Sequence, residues 1–301
     1  MKGDIREYAR LGLVHHLLYG AVPEKPLEHA ATLRHFLRAY AIETFDCCLP
    51  VAPGDWSTLV KEIAGCGREV CFATHFYPLR DLPLAAKDDD AKRKRDVLLK
   101  PMIAQARSVG ATGFIFGAGR PSFPDATQAD FDAFDDFLDS LCPELEAFGA
   151  AALLEPFDYD IDKAFLYGPV SACRALAERT LKRHRNFGFE LDMAHLPLMH
   201  EPFAPAIREL APYLRRVHLG NCVEIPGCDR YGDTHPPMEF PNGSIGEPEL
   251  AEILRALLEC GFLDRNDRKG LVLEMTPFPG VTPEETCRRS FDLLRRTWKN
   301  V

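Results

Sequence analysis

The sequence predicts an α/β protein of the (β/α)8 TIM-barrel class, one domain over residues 1–301, and two observations carry this reading. Short apolar runs alternate with longer amphipathic stretches eight times, the pattern of parallel strands covered on the outside by helices. The length also suits a closed barrel, which typically takes about 250 residues and often more with insertions. A doubly wound open sheet shares the alternation, but the Gly-rich phosphate turn usual after its first strand is missing.

Taken in order, the first strand is 11–14, opening toward His15 and His16, with a helix over 27–39. The second strand is 41–45, followed by a helix over 56–64. The third is 69–75, and after a loop comes a charged helix whose start, DDDAKRKRD (88–96), reads as a solvated face. The fourth is 112–117, with a helix over 128–149. Strands five to eight are 151–155, 188–192, 214–219 and 270–274; their helices cover 171–184, 204–210, 247–261 and 283–298. Between strand seven and its helix lies a Pro- and Gly-rich connection, 221–246. Loops of that length inside a domain are usually functional.

Composition narrows the partners. The chain carries a net charge of −9, poorly suited to a polyanion, whose phosphates are held by clustered Lys and Arg. No nucleic-acid partner is therefore expected. No apolar run is long enough to span a membrane, and the charged start MKGDIREYARLG has no signal-peptide core. The ten cysteines lack C-x-x-C spacing, and the adjacent pair Cys47–Cys48 would be strained as a disulfide. Cys71, Cys142 and Cys173 fall in core segments, where a thiol acts as a small apolar group. A reduced, cytoplasmic setting follows. The expected partner is a small carbohydrate-like molecule, and a homo-oligomer is left open.

A barrel builds its site where the C-terminal ends of the strands meet. Strands five to eight end in Glu155, Asp192, His218 and Glu274. One buried carboxylate has an ordinary explanation, such as pairing with a Lys or capping a helix. Four groups in consecutive units do not. Three converging carboxylates repel, and one divalent ion resolves the conflict. Mostly hard oxygen donors with one imidazole favour Mn²⁺, Mg²⁺ or Co²⁺, with Zn²⁺ as the alternative.

The segments LLEPF (153–157), FELDMAH (189–195), RRVHLGN (215–221) and LVLEM (271–275) resemble, in order and spacing, the xylose-isomerase-like TIM-barrel superfamily. That group holds sugar and sugar-phosphate isomerases and epimerases, inosose dehydratases, hydroxypyruvate isomerases, dehydroshikimate dehydratases and endonuclease IV. The resemblance implies that Glu155 and Glu274 bind metal and move protons, that Asp192 and His218 complete the ligand set, and that His195 binds a substrate oxygen. In such a site a polarised carbonyl lowers the cost of an enediolate. One carboxylate takes a proton from carbon and another acid returns one elsewhere. Return on the same face isomerises, and return on the opposite face epimerises.

The leading expectation is thus a metal-dependent isomerase or epimerase of a sugar, sugar phosphate or polyol-derived ketone. The alternatives are a lyase on the same site, either a keto-cyclitol or keto-acid dehydratase or an enzyme that eliminates from an oxidised glycoside, and an endonuclease IV-like nuclease. The nuclease needs more His ligands and a basic groove; the chain has ten His, with His29, His35 and His184 placed in helices. A non-catalytic barrel would be expected to have lost a ligand, and none is lost.

Other positions are more open. GDTHPP (232–237) before PNGSIG (241–246) resembles the superfamily's Asp-x-His and Pro-Gly-x-Gly stretch, which in endonuclease IV binds a further zinc. Here Asp233 and His235 are expected to bind substrate, to form part of a lid, or to be structural. Glu43 in strand two and His75 at the end of strand three are candidates for the mouth and for substrate binding. At most one of His15 and His16 can face inward on a strand. Tyr19, Phe45, Phe157 and Phe278 could wall a sugar ring or pack in the core. Many sugar epimerases place an Arg soon after the strand-seven His, whereas here none occurs before Arg230, so substrate recognition should differ. No convincing phosphate site is present.

Overall fold

Eight parallel strands close into a barrel in chain order in the computed structural model, which describes residues 3–20, 25–50, 56–74 and 84–301. The strands are β1 Arg10–Val14, β2 Thr44–Cys47, β3 Glu69–Ala73, β4 Gly113–Gly117, β5 Ala151–Glu155, β6 Phe187–Asp192, β7 Leu214–Leu219 and β8 Gly270–Leu273. The helices are α1 His15–Tyr19, α2 Pro26–Ala39, α3 Ser57–Ala64, α4 Asp89–Ser108, α5 Gln128–Glu146, α6 Val170–Thr180, α7 His195–Leu198, α8 Phe203–Leu210, α9 Glu247–Glu259 and α10 Pro283–Trp298.

Period-two alternation sorts each strand into a helix-facing and a barrel-facing set. On the helix side Phe45, Phe72, Phe114, Phe116, Phe187 and Phe189 are fully buried in the main core. Phe72 and Phe114 stack with centroids 5.8 Å apart, and each such ring contributes about 1.5–3 kcal/mol by leaving water. Inside the barrel Cys71, Ile115 and Leu153 form a small separate apolar cluster. Gly113 makes room for it, since a Cβ there would lie 2.7 Å from both Cys71 Sγ and Leu153 Cδ1.

Much of the rest of the interior is polar: Thr44, Asp46, Glu190, Asp192, Arg216 and His218 are all buried. The register between β6 and β7 slips by one residue: Phe189 faces Leu214, yet Glu190 faces Arg216. The extra residue, Arg215, lets Arg216 and His218 share the inner face with Glu190 and Asp192. Helix starts follow their caps: Asp88 accepts from the Ala91 N–H at 2.8 Å, and Thr282 caps α10 ahead of Pro283.

Several boundaries depart from expectation, as where the helix expected over 128–149 ends at Glu146. Strand two is Thr44–Cys47, not 41–45. Asp46 reads in sequence as the point where the chain leaves the core, but buried pairing with Arg216 lets the strand run on past it. The helix expected over 171–184 ends at Thr180, so His184 lies beyond it and reaches Asp139 at 2.7 Å. His75 lies outside the described residues.

Candidate metal centre

The four strand-end residues converge. One ligand atom from each of Glu155, Asp192, His218 and Glu274 lies within 4.8 Å of all the others. Glu155 and Asp192 close β5 and β6, His218 is the penultimate residue of β7, and Glu274 follows β8 directly. Glu155, His218 and Glu274 line a cavity of about 150 Å³ together with Asp46, Phe157, Lys163, Asp233 and His235, while Asp192 is fully buried.

Asp192 is fixed by backbone groups just past the ends of β6 and β7. Its Oδ1 accepts the backbone N–H groups of Ala194 at 2.8 Å and Gly220 at 3.0 Å, while the buried Oδ2 has no hydrogen-bond partner. His218 Nδ1 lies 2.5 Å from Glu274 Oε2, and its Nε2 lies 2.5 Å from Asp46 Oδ2. An orphaned buried carboxylate oxygen, two glutamates and one imidazole nitrogen on a common point fit a divalent cation with mainly oxygen ligands.

The charges in the mouth are unevenly placed. Burial pushes the Glu155 carboxyl up, against a 2.9 Å contact with His195 Nε2. Burial would raise Glu274 as well, but the charges of His218 and His235 outweigh it and hold the group well below the usual carboxylate range. Burial, with Glu274 adding, pushes Asp192 up to about 7. For His195 burial works against the charged form, yet Asp233 and Glu155 overcome it and raise the ring to about 9. His235 rises to about 10, burial again opposing, chiefly because of Asp233.

The long loop belongs to the site. Asn221 staples its two ends: Oδ1 accepts from the N–H groups of Cys222 and Ile245, both at 2.9 Å, and Nδ2 donates to the Pro237 carbonyl at 3.1 Å. The segment between carries Asp233 and His235 inward. Asp233 Oδ1 lies 2.6 Å from His235 Nε2, and His235 Nδ1 lies 3.4 Å from Asp192 Oδ2. Asp192, His195 and His235 accordingly form a second group of ligand type beside the first. Lys163 Nζ reaches Asp233 at 2.7 Å from a turn in which Asp158 accepts three successive backbone N–H groups, those of Ile161, Asp162 and Lys163.

Glu43 is a correction. Because β2 begins only at Thr44, Glu43 lies at the opposite, N-terminal end of the barrel, half-exposed and paired with Arg268. The β2 carboxylate that reaches the mouth is Asp46, two residues on. Of the four aromatic candidates Phe157 lines the cavity and packs 4.3 Å, ring to ring, on His195. Phe45 packs on Phe36 in the core, and Tyr19 bonds Tyr40. His16 faces the cavity, held neutral with burial pushing it down to about 4, while His15 packs against His29 and Phe36. Arg230 does not line the cavity and bonds Thr276.

Sequence reading missed Asp46, Glu190, Arg216 and Lys163, and left open which of His15 and His16 faces inward. For Glu190 and Arg216 a signal was present: each stands two residues before a recognised ligand, Asp192 and His218, and so shares its face.

No protein-family model matches the chain, and no curated protein matches its sequence. Solved structures do. An L-ribulose 3-epimerase superposes with a TM-score of 0.69 at 18% identity, covering 97% of this chain and 96% of its own. A D-psicose 3-epimerase from Clostridium cellulolyticum H10, solved with D-tagatose, gives 0.68 at 14% identity over 96% and 99%. A 3-keto-D-glucoside 4-epimerase from E. coli gives 0.62 at 16% identity over 96% and 99%. The chain shares the (β/α)8-barrel fold of these solved structures over nearly its whole length.

Proposed function

We propose that the protein is a divalent-metal-dependent sugar isomerase or epimerase. One observation carries the reading: Glu155, Asp192, His218 and Glu274 bring two glutamates, an orphaned carboxylate oxygen and an imidazole within reach of a common point, with His195 against Glu155. The four would hold a Mn²⁺, Mg²⁺ or Co²⁺ ion, whose chemistry is to polarise a substrate carbonyl and its neighbouring hydroxyl.

The chain's own groups do the rest. Glu155 and Glu274 face the same small volume, so one takes a proton from the carbon next to the carbonyl and the other returns one. His195, steadied by Phe157 and poised on Glu155, binds the substrate oxygen and keeps Glu155 in place. Asp233 and His235 close the site from the loop and bind substrate hydroxyls. The folded-over loop also excludes water, which strengthens each charge in the mouth. Without an Arg soon after His218, Lys163 is the cation that meets substrate. The ten cysteines, all among the described residues, are present as thiols, which supports a reducing, cytoplasmic setting.

The test is solvent exchange. The Mn²⁺-loaded protein is incubated in D₂O with D-tagatose, D-allulose, D-fructose, L-ribulose and a 3-keto-glucoside, and products are followed by NMR. Deuterium entering at one carbon beside the carbonyl supports the reading and identifies the carbon. Loss of a leaving group instead would convert the assignment to a lyase.

A further inference from the structure

We infer that Asp46 is a positioning residue that decides which nitrogen of His218 faces the metal site, and that Arg216 holds Asp46 to that task. The inference rests on the metal reading above.

The two ring nitrogens of His218 have different neighbours. Nδ1 lies 2.5 Å from Glu274 Oε2 and 3.4 Å from Glu190 Oε1, and Nε2 lies 2.5 Å from Asp46 Oδ2. A carboxylate hydrogen-bonded to the far nitrogen of a ligand imidazole takes the Nε2–H, fixes the tautomer, and leaves the Nδ1 lone pair, on the Glu274 side, for the cation. Asp46 is fully buried and cannot swing away. Arg216 donates from Nε to Oδ2 at 3.0 Å, and a terminal nitrogen lies 2.6 Å from Oδ1. The same guanidinium also donates to Thr44 Oγ1 at 2.9 Å, so Arg216 is itself anchored to β2. Space for so large a side chain inside the barrel exists because position 270 is glycine, where any Cβ would collide with the guanidinium.

A buried ion pair of this kind could serve the barrel alone, and metal affinity separates the two roles. Mn²⁺ dissociation constants are measured by titration with EPR detection for the wild type, for Asp46→Asn, and for Asp46→Leu/Arg216→Met. The double variant removes both charges together, so no unpaired ion is left buried, a replacement that is often neutral for stability. Thermal unfolding of each metal-free protein checks folding. The double variant is expected to bind Mn²⁺ about 10–100-fold more weakly, with a shifted Co²⁺ d–d spectrum. Asp46→Asn, which keeps an oxygen to accept the Nε2–H, is expected to recover most of the affinity. A folded double variant with wild-type affinity and an unchanged Co²⁺ spectrum overturns the inference. Failure of the wild type to bind any divalent ion overturns the metal reading, and this inference with it.

Discussion

Gly220 offers a sharp perturbation, because it touches the ligand set without contributing a side chain. Its N–H donates to Asp192 Oδ1, and a Cβ at this position would stand 2.5 Å and 2.7 Å from the two carboxylate oxygens and 2.9 Å from the Ala194 Cβ. Ordinary contact begins near 3.4 Å, so Gly220→Ala forces Asp192 back by roughly 0.9 Å or distorts the end of β7. The carboxylate cannot tip freely, since the Ala194 N–H holds the same oxygen. Overpacking of this kind costs about 1–3 kcal/mol of stability. Displacing a site group by about 1 Å costs roughly 100-fold in rate. We therefore expect a folded variant, modestly destabilised in urea, that binds Mn²⁺ at least about tenfold more weakly and loses about two orders of magnitude in deuterium exchange. Mn²⁺ titration and NMR-detected exchange on the same preparation provide the assay. Wild-type affinity and rate in Gly220→Ala would refute the argument that Asp192 Oδ2 is aimed by this backbone contact.

Further outcomes follow from the same geometry. Glu155→Gln and Glu274→Gln should each cut exchange at least about 100-fold with the circular dichroism spectrum unchanged, and full activity in either removes it from the proton-transfer pair. Asn221→Ala leaves the Ile245 N–H and the Pro237 carbonyl without this partner, at about 1–3 kcal/mol, and hydrogen exchange should show 221–246 opening faster than the barrel strands. Asp130 closes the capping box of α5 and pairs with Lys87, which hold its carboxyl near 2, burial opposing. Its pKa is thus lowered on folding: its stabilisation, about 1 kcal/mol by removal of a cap, is full above pH 3.8 and fades as pH falls toward 2. Denaturant curves of wild type and Asp130→Ala across pH 2–6 should converge at the acid end, and a constant gap would contradict the assignment.

What was legible in the sequence divides along a physical line. Parallel barrel strands are buried on both faces, so their apolar runs announce themselves, and the eight units were found in order. Glu155, Asp192, His218 and Glu274 stood out because each ends such a run. The site of β2 did not, because an Asp inside an apolar run signals an exit from the core unless its partner is known. That partner, Arg216, lies far along the chain on β7, and single-chain periodicity carries no information about it. Glu43 was consequently placed at the mouth when it belongs to the base. Asp233 and His235 were visible as a motif, but their approach to Asp192 depends on the Asn221 staple and the backbone path of an irregular loop. His16 reaches the cavity from the short helix α1 and Lys163 from a turn, segments too short or irregular for periodicity to say which way a side chain faces.

The most direct test of the central claim is the anomalous diffraction of a crystal grown with Mn²⁺. The account predicts one strong peak per chain, within coordinating distance of Glu155, Asp192, His218 Nδ1 and Glu274. No peak at that position, or a peak held instead by Asp192, His195 and His235, would contradict it.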